Sequence, residues 1–235
     1  MLIRTYVIHV STEIGRRKLI EKELEGKAFD PTFVLDGDIN SLSQSRLNTF
    51  FSDKMKEPKA GTSCAFKHIL AYQDIVKNKH PLTLIIEDDI RFYSNVHLLD
   101  QIFNEIQDRN LKSFIVSLED SRLKYIPKSK REKKRLLYLE QSGRMTGAYL
   151  IDYAGAKHIL DYIETKKVSV PIDWFHNECI QENILEMFWA QPPIAVQGSL
   201  EGSVKSLIGK VRFGGLKILL FRIQRLYKRL TYYFR

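Results

Sequence analysis

A run of apolar or β-branched residues, Leu82-Thr83-Leu84-Ile85-Ile86, leads directly into three consecutive carboxylates, Glu87-Asp88-Asp89. A short, continuously apolar run is the pattern of a strand covered on both faces. Three acids at its end repel one another unless a cation lies among them, and a divalent metal held by hard oxygen ligands is one remedy. In open α/β sheets, ligands sit outside the carboxyl ends of the strands, which is where this cluster falls. A solvated turn that merely ends a strand would carry the same triplet, so the neighbouring segments decide between the two readings.

Those segments describe an α/β chain. Residues 3–10 form a first apolar strand, and Gly15-Arg16-Arg17 opens a helix carrying Leu19, Ile20 and Leu24 on one face. Residues 31–35 make a second strand, closed by the turn signal Asp36-Gly37-Asp38. A β-α-β unit therefore occupies the first forty residues or so, as a nucleotide-binding domain requires. No glycine-rich GxGxxG or Walker loop is present, which argues against dinucleotide and P-loop readings. Residues 40–57 predict a short helix, and residues 58–61, Pro-Lys-Ala-Gly, a break. From Cys64 the apolar stripe Phe66, Ile69, Leu70, Ile75 and Val76 predicts a helix, which Pro81 stops. A further helix follows around residues 96–106, then a strand over 114–118 and a lysine-rich loop within 122–135. Strands are predicted over 136–139 and 145–151, and a helix over 154–163. Another helix runs from Pro171 to about Trp189, with a final extended piece over 194–196.

Charge divides the chain in two. No acid follows Glu201, while nine bases do, from Lys205, Lys210, Arg212 and Lys217 to Arg235, and these account for the whole net charge of +9. The division is drawn at residues 1–203 and 204–235. In the tail, Leu219, Leu220, Ile223, Leu226, Tyr227, Leu230 and Phe234 recur at helical spacing, with Arg222, Arg225, Lys228 and Arg229 on the other side. Ile218, Phe221 and Tyr232 break that pattern. The tail lacks the roughly 20 uninterrupted apolar residues of a membrane span. A cationic amphipathic helix fits an anionic membrane surface, and packing on the domain or on a second subunit is the alternative. Two cysteines, Cys64 and Cys179, are too few for a disulfide framework, and no CxxC pair signals structural zinc. With no signal-peptide pattern at the N-terminus, a cytosolic setting is expected.

The order of these motifs resembles glycosyltransferase family 25, the lipooligosaccharide-type enzymes related to collagen galactosyltransferases. The resemblance is carried by Val7-Ile8-His9-Val10-Ser11 with Arg16-Arg17, by Val34-Leu35-Asp36-Gly37, and by Cys64-Ala65-Phe66-Lys67-His68. It continues through Leu84-Ile85-Ile86-Glu87-Asp88-Asp89, similar to the family's variant of the DxD motif, and Thr146-Gly147-Ala148-Tyr149-Leu150-Ile151 with Gly155-Ala156. Pro171-Ile172-Asp173 resembles a late proline–aspartate step. Where the family usually has Ser-His, this chain has Lys67-His68, so no role passes from that serine. The resemblance implies a GT-A-like fold with a mainly parallel sheet. It also implies an inverting, metal-dependent transfer of a hexose, commonly galactose and next glucose, from a UDP-sugar to a lipid-linked oligosaccharide. The setting would be bacterial, on the inner face of the cytoplasmic membrane.

The residues fit that chemistry. A leaving diphosphate gathers negative charge that a divalent cation stabilises, and manganese or magnesium takes carboxylate oxygens. Strand alternation puts Glu87 and Asp89 on one side as metal ligands, with Asp88 turned toward the protein or the donor sugar. Val10, Ser11, Arg16, Arg17, Asp36, Glu87, Asp88 and Gln197 are the candidate nucleotide-sugar contacts. A guanidinium matches phosphate geometry, although a solvated first helical turn would also hold Arg16 and Arg17. Asp36 is equally a plain turn residue. Asp173 is the candidate general base, with a helix cap as its competing role and Glu119, Asp120 and Glu178 in reserve. His68 and His176 could join the site, and the cysteines read as small core residues. Two other classes remain in view: a metal-dependent phospho- or nucleotidyltransferase using the same acids, and a nucleic-acid-binding arm in the tail. The acidic strand in its setting argues against nucleic acid as a partner.

Overall fold

The computed structural model describes residues 2–202 and 215–235, with side chains in the second stretch from residue 218 onward. Lys205, Lys210 and Arg212, the side chain of Lys217 and the boundary drawn at 203/204 lie outside the described residues. β1 (Ile3–Ile8), α1 (Ile14–Leu24) and β2 (Phe29–Val34) form the opening β-α-β unit. α2 (Gln44–Phe50), α3 (Ala60–Asn78), β3 (Leu82–Glu87), β4 (Ile90–Phe92), α4 (Leu98–Asp108) and β5 (Phe114–Ser117) follow. Next come β6 (Leu137–Glu140), β7 (Ala148–Asp152), α5 (Tyr153–Lys166), α6 (Ile172–Gln181) and β8 (Glu186–Ala190). β9 (Ala195–Gln197), α7 (Gly198–Glu201) and α8 (Gly215–Phe234) complete the order.

Seven strands form one sheet in the order β2-β1-β3-β7-β5-β8-β6. β1, β2, β3, β5 and β8 run one way, and β7 and β6 oppose them, so the sheet is mainly parallel. β4 and β9 pair separately as an antiparallel ribbon. Successive residues of each strand alternate between two cores. Val7, Leu84, Ile86, Val116 and Leu150 face one that also holds Ile20 of α1 and Ile102 of α4. Ile8, Ile85, Ile115, Tyr149 and Ile151 face the other, with Phe66 and Ile69 of α3, Ile159 of α5 and Phe175 of α6. Leu84, Ile85 and Ile86 are all fully buried, which explains why the strand is apolar without alternation. Each such side chain contributes about 1.5–3 kcal/mol by leaving water.

Three local expectations change. The break at residues 58–61 ends sooner, because Lys59 caps the helix in an extended conformation and α3 starts at Ala60. The single helix expected within 40–57 is a seven-residue α2 flanked by 3-10 turns at Ile39–Ser41 and Asp53–Lys56. The helix expected to reach Trp189 ends at Gln181, and Asn183 turns the chain at a φ of 56°. β8 then pairs between β5 and β6. Met187 and Trp189 point to one core and Phe188 and Ala190 to the other. A short apolar run of this kind fits a helix or a strand equally well until its partners are known.

The tail helix lies against the domain. Ile218, Phe221, Arg225, Lys228 and Tyr232 are its less exposed positions, at helical spacing. Ile218, Phe221 and Tyr232 are the residues that break the outward apolar stripe in the sequence. Tyr232 packs edge-on against Tyr125, with ring centroids 5.7 Å apart. Arg225 pairs with Glu201, and Arg229 lies 3.0 Å from Asp120. These two arginines, expected to face solvent or a membrane, face the protein instead, because Asp120 is buried and needs a counter-charge. Leu219, Leu220, Ile223, Leu226, Tyr227, Leu230 and Phe234 are all exposed. Among the described residues no helix is long and apolar enough to cross a membrane.

Candidate active site

The parallel register of β1 and β3 sets Ile8 beside Glu87. One residue further on, His9 Nδ1 lies 2.7 Å from Asp88 Oδ2. Glu87 is the last residue of β3, and Asp88-Asp89 form the turn into β4. Strand alternation therefore stops at Glu87, and Asp88 is not turned away from Asp89 as the sequence suggested. Arg16, in the first turn of α1, bridges them: Nη1 is 2.6 Å from Asp88 Oδ1 and Nη2 is 3.3 Å from Asp89 Oδ2. Asp88 and Asp89 are both buried.

The carboxyls of this cluster crowd one another in a largely buried place. Burial pushes the Glu87 carboxyl well above its ordinary value, and the charges of Asp89 and Glu119 push it further. Thr146 Oγ1 at 3.1 Å and Gln197 Nε2 at 3.3 Å donate to the Glu87 carboxylate. Burial likewise raises Asp89, against the pull of Arg16 and a hydrogen bond from Ser199. Asp89 Oδ1 is buried and has no hydrogen-bond partner among the described residues. A hard divalent cation fits this donor set, with Glu87 and Asp89 supplying oxygens and the unpaired Oδ1 receiving it.

A cavity of about 710 Å³ opens beside the cluster at the carboxyl ends of β1, β2 and β3. Val10, Ser11, Asp36, Glu87 and Asp88 line it. Its floor is held by Lys67, only 1% exposed. The Lys67 ammonium donates to the carbonyls of Leu35 at 2.9 Å and Asp36 at 3.1 Å, and it pairs with Asp38 at 2.9 Å. Asp38 in turn accepts from the Ser11 backbone N–H at 3.0 Å and from its hydroxyl at 2.5 Å. One lysine thus ties the end of β2 to the end of β1. Lys67 and Asp38 were absent from the sequence-derived site, although a lysine inside an apolar helical stripe is itself a signal.

The other expected contacts already have partners within the protein. The Asp36 carboxylate is engaged by both guanidinium nitrogens of Arg46, at 2.9 and 2.5 Å, which hold it below its ordinary range. Arg17 turns from the cavity to Glu21 at 2.5 Å and lies 3.1 Å from the centre of the Phe33 ring. Gln197, at the end of β9, reaches Glu87 across Gly147. A Cβ on Gly147 would meet the Gln197 Cγ at 2.8 Å.

Asp173 sits in the first turn of α6 behind a Pro171 cap, paired with Arg122 at 3.3 Å. Asp173 does not line the cavity. The reserve acids differ. Glu119 is fully buried and accepts from the Gly147 and Ala148 N–H groups and from Ser121. Asp120 is fully buried among Tyr93, Tyr125 and Arg229. Neither lines the cavity. Glu178 lies further along α6, beside Cys179. Burial lowers His68 well below the ordinary imidazole value and takes His176 to about 3, so both rings are neutral near pH 7.

The family model described as glycosyltransferase family 25 (LPS biosynthesis protein) matches residues 2–176, from β1 into α6. The chain belongs to glycosyltransferase family 25. The acid turn, the Lys67 clamp and Asp173 all fall within the matched span of this family 25 chain. A Haemophilus influenzae protein provisionally described as a glycosyltransferase is 28% identical over 180 residues, covering 72% of this chain and 60% of that protein. Among solved structures, apo UDP-glucose pyrophosphorylase overlays 97% of this chain and 82% of its own, with a TM-score of 0.43 and 12% identity. A Bacillus anthracis protein provisionally described as a glucose-1-phosphate thymidylyltransferase covers 90% of this chain and 78% of its own, with a TM-score of 0.39 and 15% identity. Overlays this loose carry no argument about the family 25 site.

Two predictions follow from the geometry. Lys67→Met leaves Asp38 and the β2 carbonyls without their donor, and is expected to lower unfolding free energy by about 2 kcal/mol in urea titrations. Unchanged stability would mean that the clamp is not needed. Burial raises Glu119 to about 8. The folded chain therefore binds more protons than the unfolded one between the free glutamate value near 4.5 and about 8. Stability should fall as pH rises through that window, and Glu119→Gln should flatten the slope in melting curves. An equal slope in both proteins would remove Glu119 as its source.

Proposed function

We propose that the chain is an inverting hexosyltransferase, moving galactose in the first instance, and glucose as the alternative, from a UDP-sugar to a lipooligosaccharide or lipopolysaccharide acceptor. The observation that carries this reading is the acid turn, whose Glu87 and Asp88 line a large cavity at the carboxyl ends of β1 to β3, with the buried Asp89 carboxylate directly behind them. Manganese or magnesium bound there would stabilise the charge of the leaving diphosphate. The chain's own residues do the rest. Lys67 and Asp38 fix the loop on which a nucleoside would rest. Arg16 holds Asp88 and Asp89 in one orientation and would be the guanidinium that meets a diphosphate at this turn.

Asp173 is the proposed general base, removing a proton from the acceptor hydroxyl. Arg122 orients its carboxylate. The adjacent Trp174 is 59% exposed and offers a flat aromatic face to an acceptor saccharide. Asp89→Ala is expected to lower turnover of UDP-galactose with lipooligosaccharide and manganese on the order of 10²–10³-fold. Asp173→Asn should lower kcat by about 10²–10⁴-fold, with donor binding retained. Product release that needs no saccharide acceptor would move the reading to phosphoryl or nucleotidyl transfer.

The acceptor's lipid anchor suits an enzyme at a membrane surface, and the outward stripe of α8 is the proposed contact. Leu219, Ile223, Leu226 and Leu230 form its centre, with Tyr227 and Phe234 at the margin, all exposed. Arg222 is exposed beside them for anionic headgroups. The protein should float with phosphatidylglycerol vesicles, and Leu226→Glu with Leu230→Glu should abolish flotation. If the same pair instead splits a dimer in solution and wild type ignores vesicles, the stripe belongs to a second copy.

A further inference from the structure

We propose that Cys64, His68 and Glu87 form a site for a borderline-soft divalent metal of the zinc class, a donor set different from the all-carboxylate pair of Glu87 and Asp89. Cys64 and His68 stand four residues apart on α3, so they share one face of the helix. That face meets the end of β3. Alternation turns Glu87 to the same side as Ile85, toward α3. One ligand atom from each of the three residues lies within 4.8 Å of the others. Around tetrahedral zinc, ligand atoms stand about 3.6 Å apart, so the side chains need to close by about 1 Å.

The imidazole provides the independent sign. His68 is fully buried, and its Nδ1 lies 2.7 Å from the Tyr149 hydroxyl. Its Nε2 is buried and has no hydrogen-bond partner among the described residues. A ligating histidine has its second nitrogen held by a neighbour that fixes the tautomer and the ring plane. Tyr149 has that position. It is braced at 2.6 Å by Tyr72, whose hydroxyl reaches His176 at 2.7 Å.

Access and charge agree with the donor geometry. Cys64 and Glu87 both line the large cavity, so an ion can enter and keep a fourth position open to it. Burial and the nearby charges of Glu87, Asp173, Asp88 and Asp89 hold the thiol above its ordinary value, so its proton leaves only when a cation replaces it. On binding, the thiol proton leaves to solvent and the thiolate takes the metal. Glu87 is common to both donor sets, so a soft ion here and a hard ion at Asp89 compete through it. The inference does not require the sugar-transfer reading, because its readout is metal binding alone.

The test uses the full-length protein, stripped with chelator, kept reduced and titrated with cobalt(II). One equivalent should bind with a thiolate-to-cobalt charge-transfer band in the near ultraviolet, and zinc(II) should displace it. The band should vanish in Cys64→Ser and persist in Cys179→Ser. Tyr149→Phe, which removes the brace on His68, should weaken cobalt binding roughly 10–100-fold. Asp89→Asn should keep the band. Binding without the band, a band that survives Cys64→Ser, or its loss in Asp89→Asn would each overturn the proposal. Should Tyr149→Phe fail to fold, Cys64→Ser, which exchanges a single atom, still decides the matter.

Discussion

The structure depends on negative charge gathered at the end of a fully buried strand. β3 lies between β1 and β7, and its residues Leu84, Ile85 and Ile86 have no exposure to water. Glu87, Asp88 and Asp89 follow at once, with Glu119 close enough to raise Glu87 further. Carboxyl groups this crowded need partners where they stand, although Glu87 and Asp88 also face the cavity. The compensation comes from distant parts of the chain. His9 arrives on the end of β1, Arg16 on α1, Thr146 ahead of β7, Gln197 on β9 and Ser199 on α7. The acid cluster is thus the point at which the α/β unit and the late β9–α7 segment are joined.

A second layer keeps that point in place. Lys67 and His68 are adjacent on α3 and serve opposite purposes. The Lys67 ammonium is charged and reaches the β2 loop. The His68 ring is neutral and joins a chain of hydroxyls through Tyr149 and Tyr72 to His176. A buried imidazole at neutral pH acts as a fixed dipole rather than as a proton carrier. On the proposed reading, proton removal from an acceptor hydroxyl falls to a carboxylate, Asp173.

Much of this was legible in the sequence where the pattern is local. The apolar run of β3, the acids that end it and the helical stripe from Phe66 to Val76 all declare themselves within a dozen residues. What remained hidden depends on partners far along the chain. Asp88 could not be oriented without knowing that β3 ends at Glu87 and that Arg16 spans the turn. β8 looked helical because Met187, Phe188, Trp189 and Ala190 are all apolar, and only pairing with β5 and β6 makes them a strand. Lys67 could be read only as a substitution for a serine, since its four oxygen partners come from residues 34–38. The spacing of Cys64 and His68 on one helix supplies two of the three residues of the proposed soft-metal site, and Glu87 joins them only through the fold.

The tail shows the same dependence in its sharpest form. Its apolar positions predict an amphipathic helix, yet the residues that spoil the pattern are those that dock it. Ile218, Phe221 and Tyr232 face the domain, and Arg225 and Arg229 turn inward toward the buried Asp120, which among the described residues has no other cation in hydrogen-bond reach. Asp120 directly follows Glu119, whose oxygens hold the Gly147 and Ala148 backbone beside Glu87. Lifting the helix away would leave the Asp120 carboxylate unpaired in the interior, a loss of about 3–5 kcal/mol for a buried pair broken on one side. The helix that presents an apolar stripe outward is therefore tied, by two adjacent acids, to the strand end where the site is built.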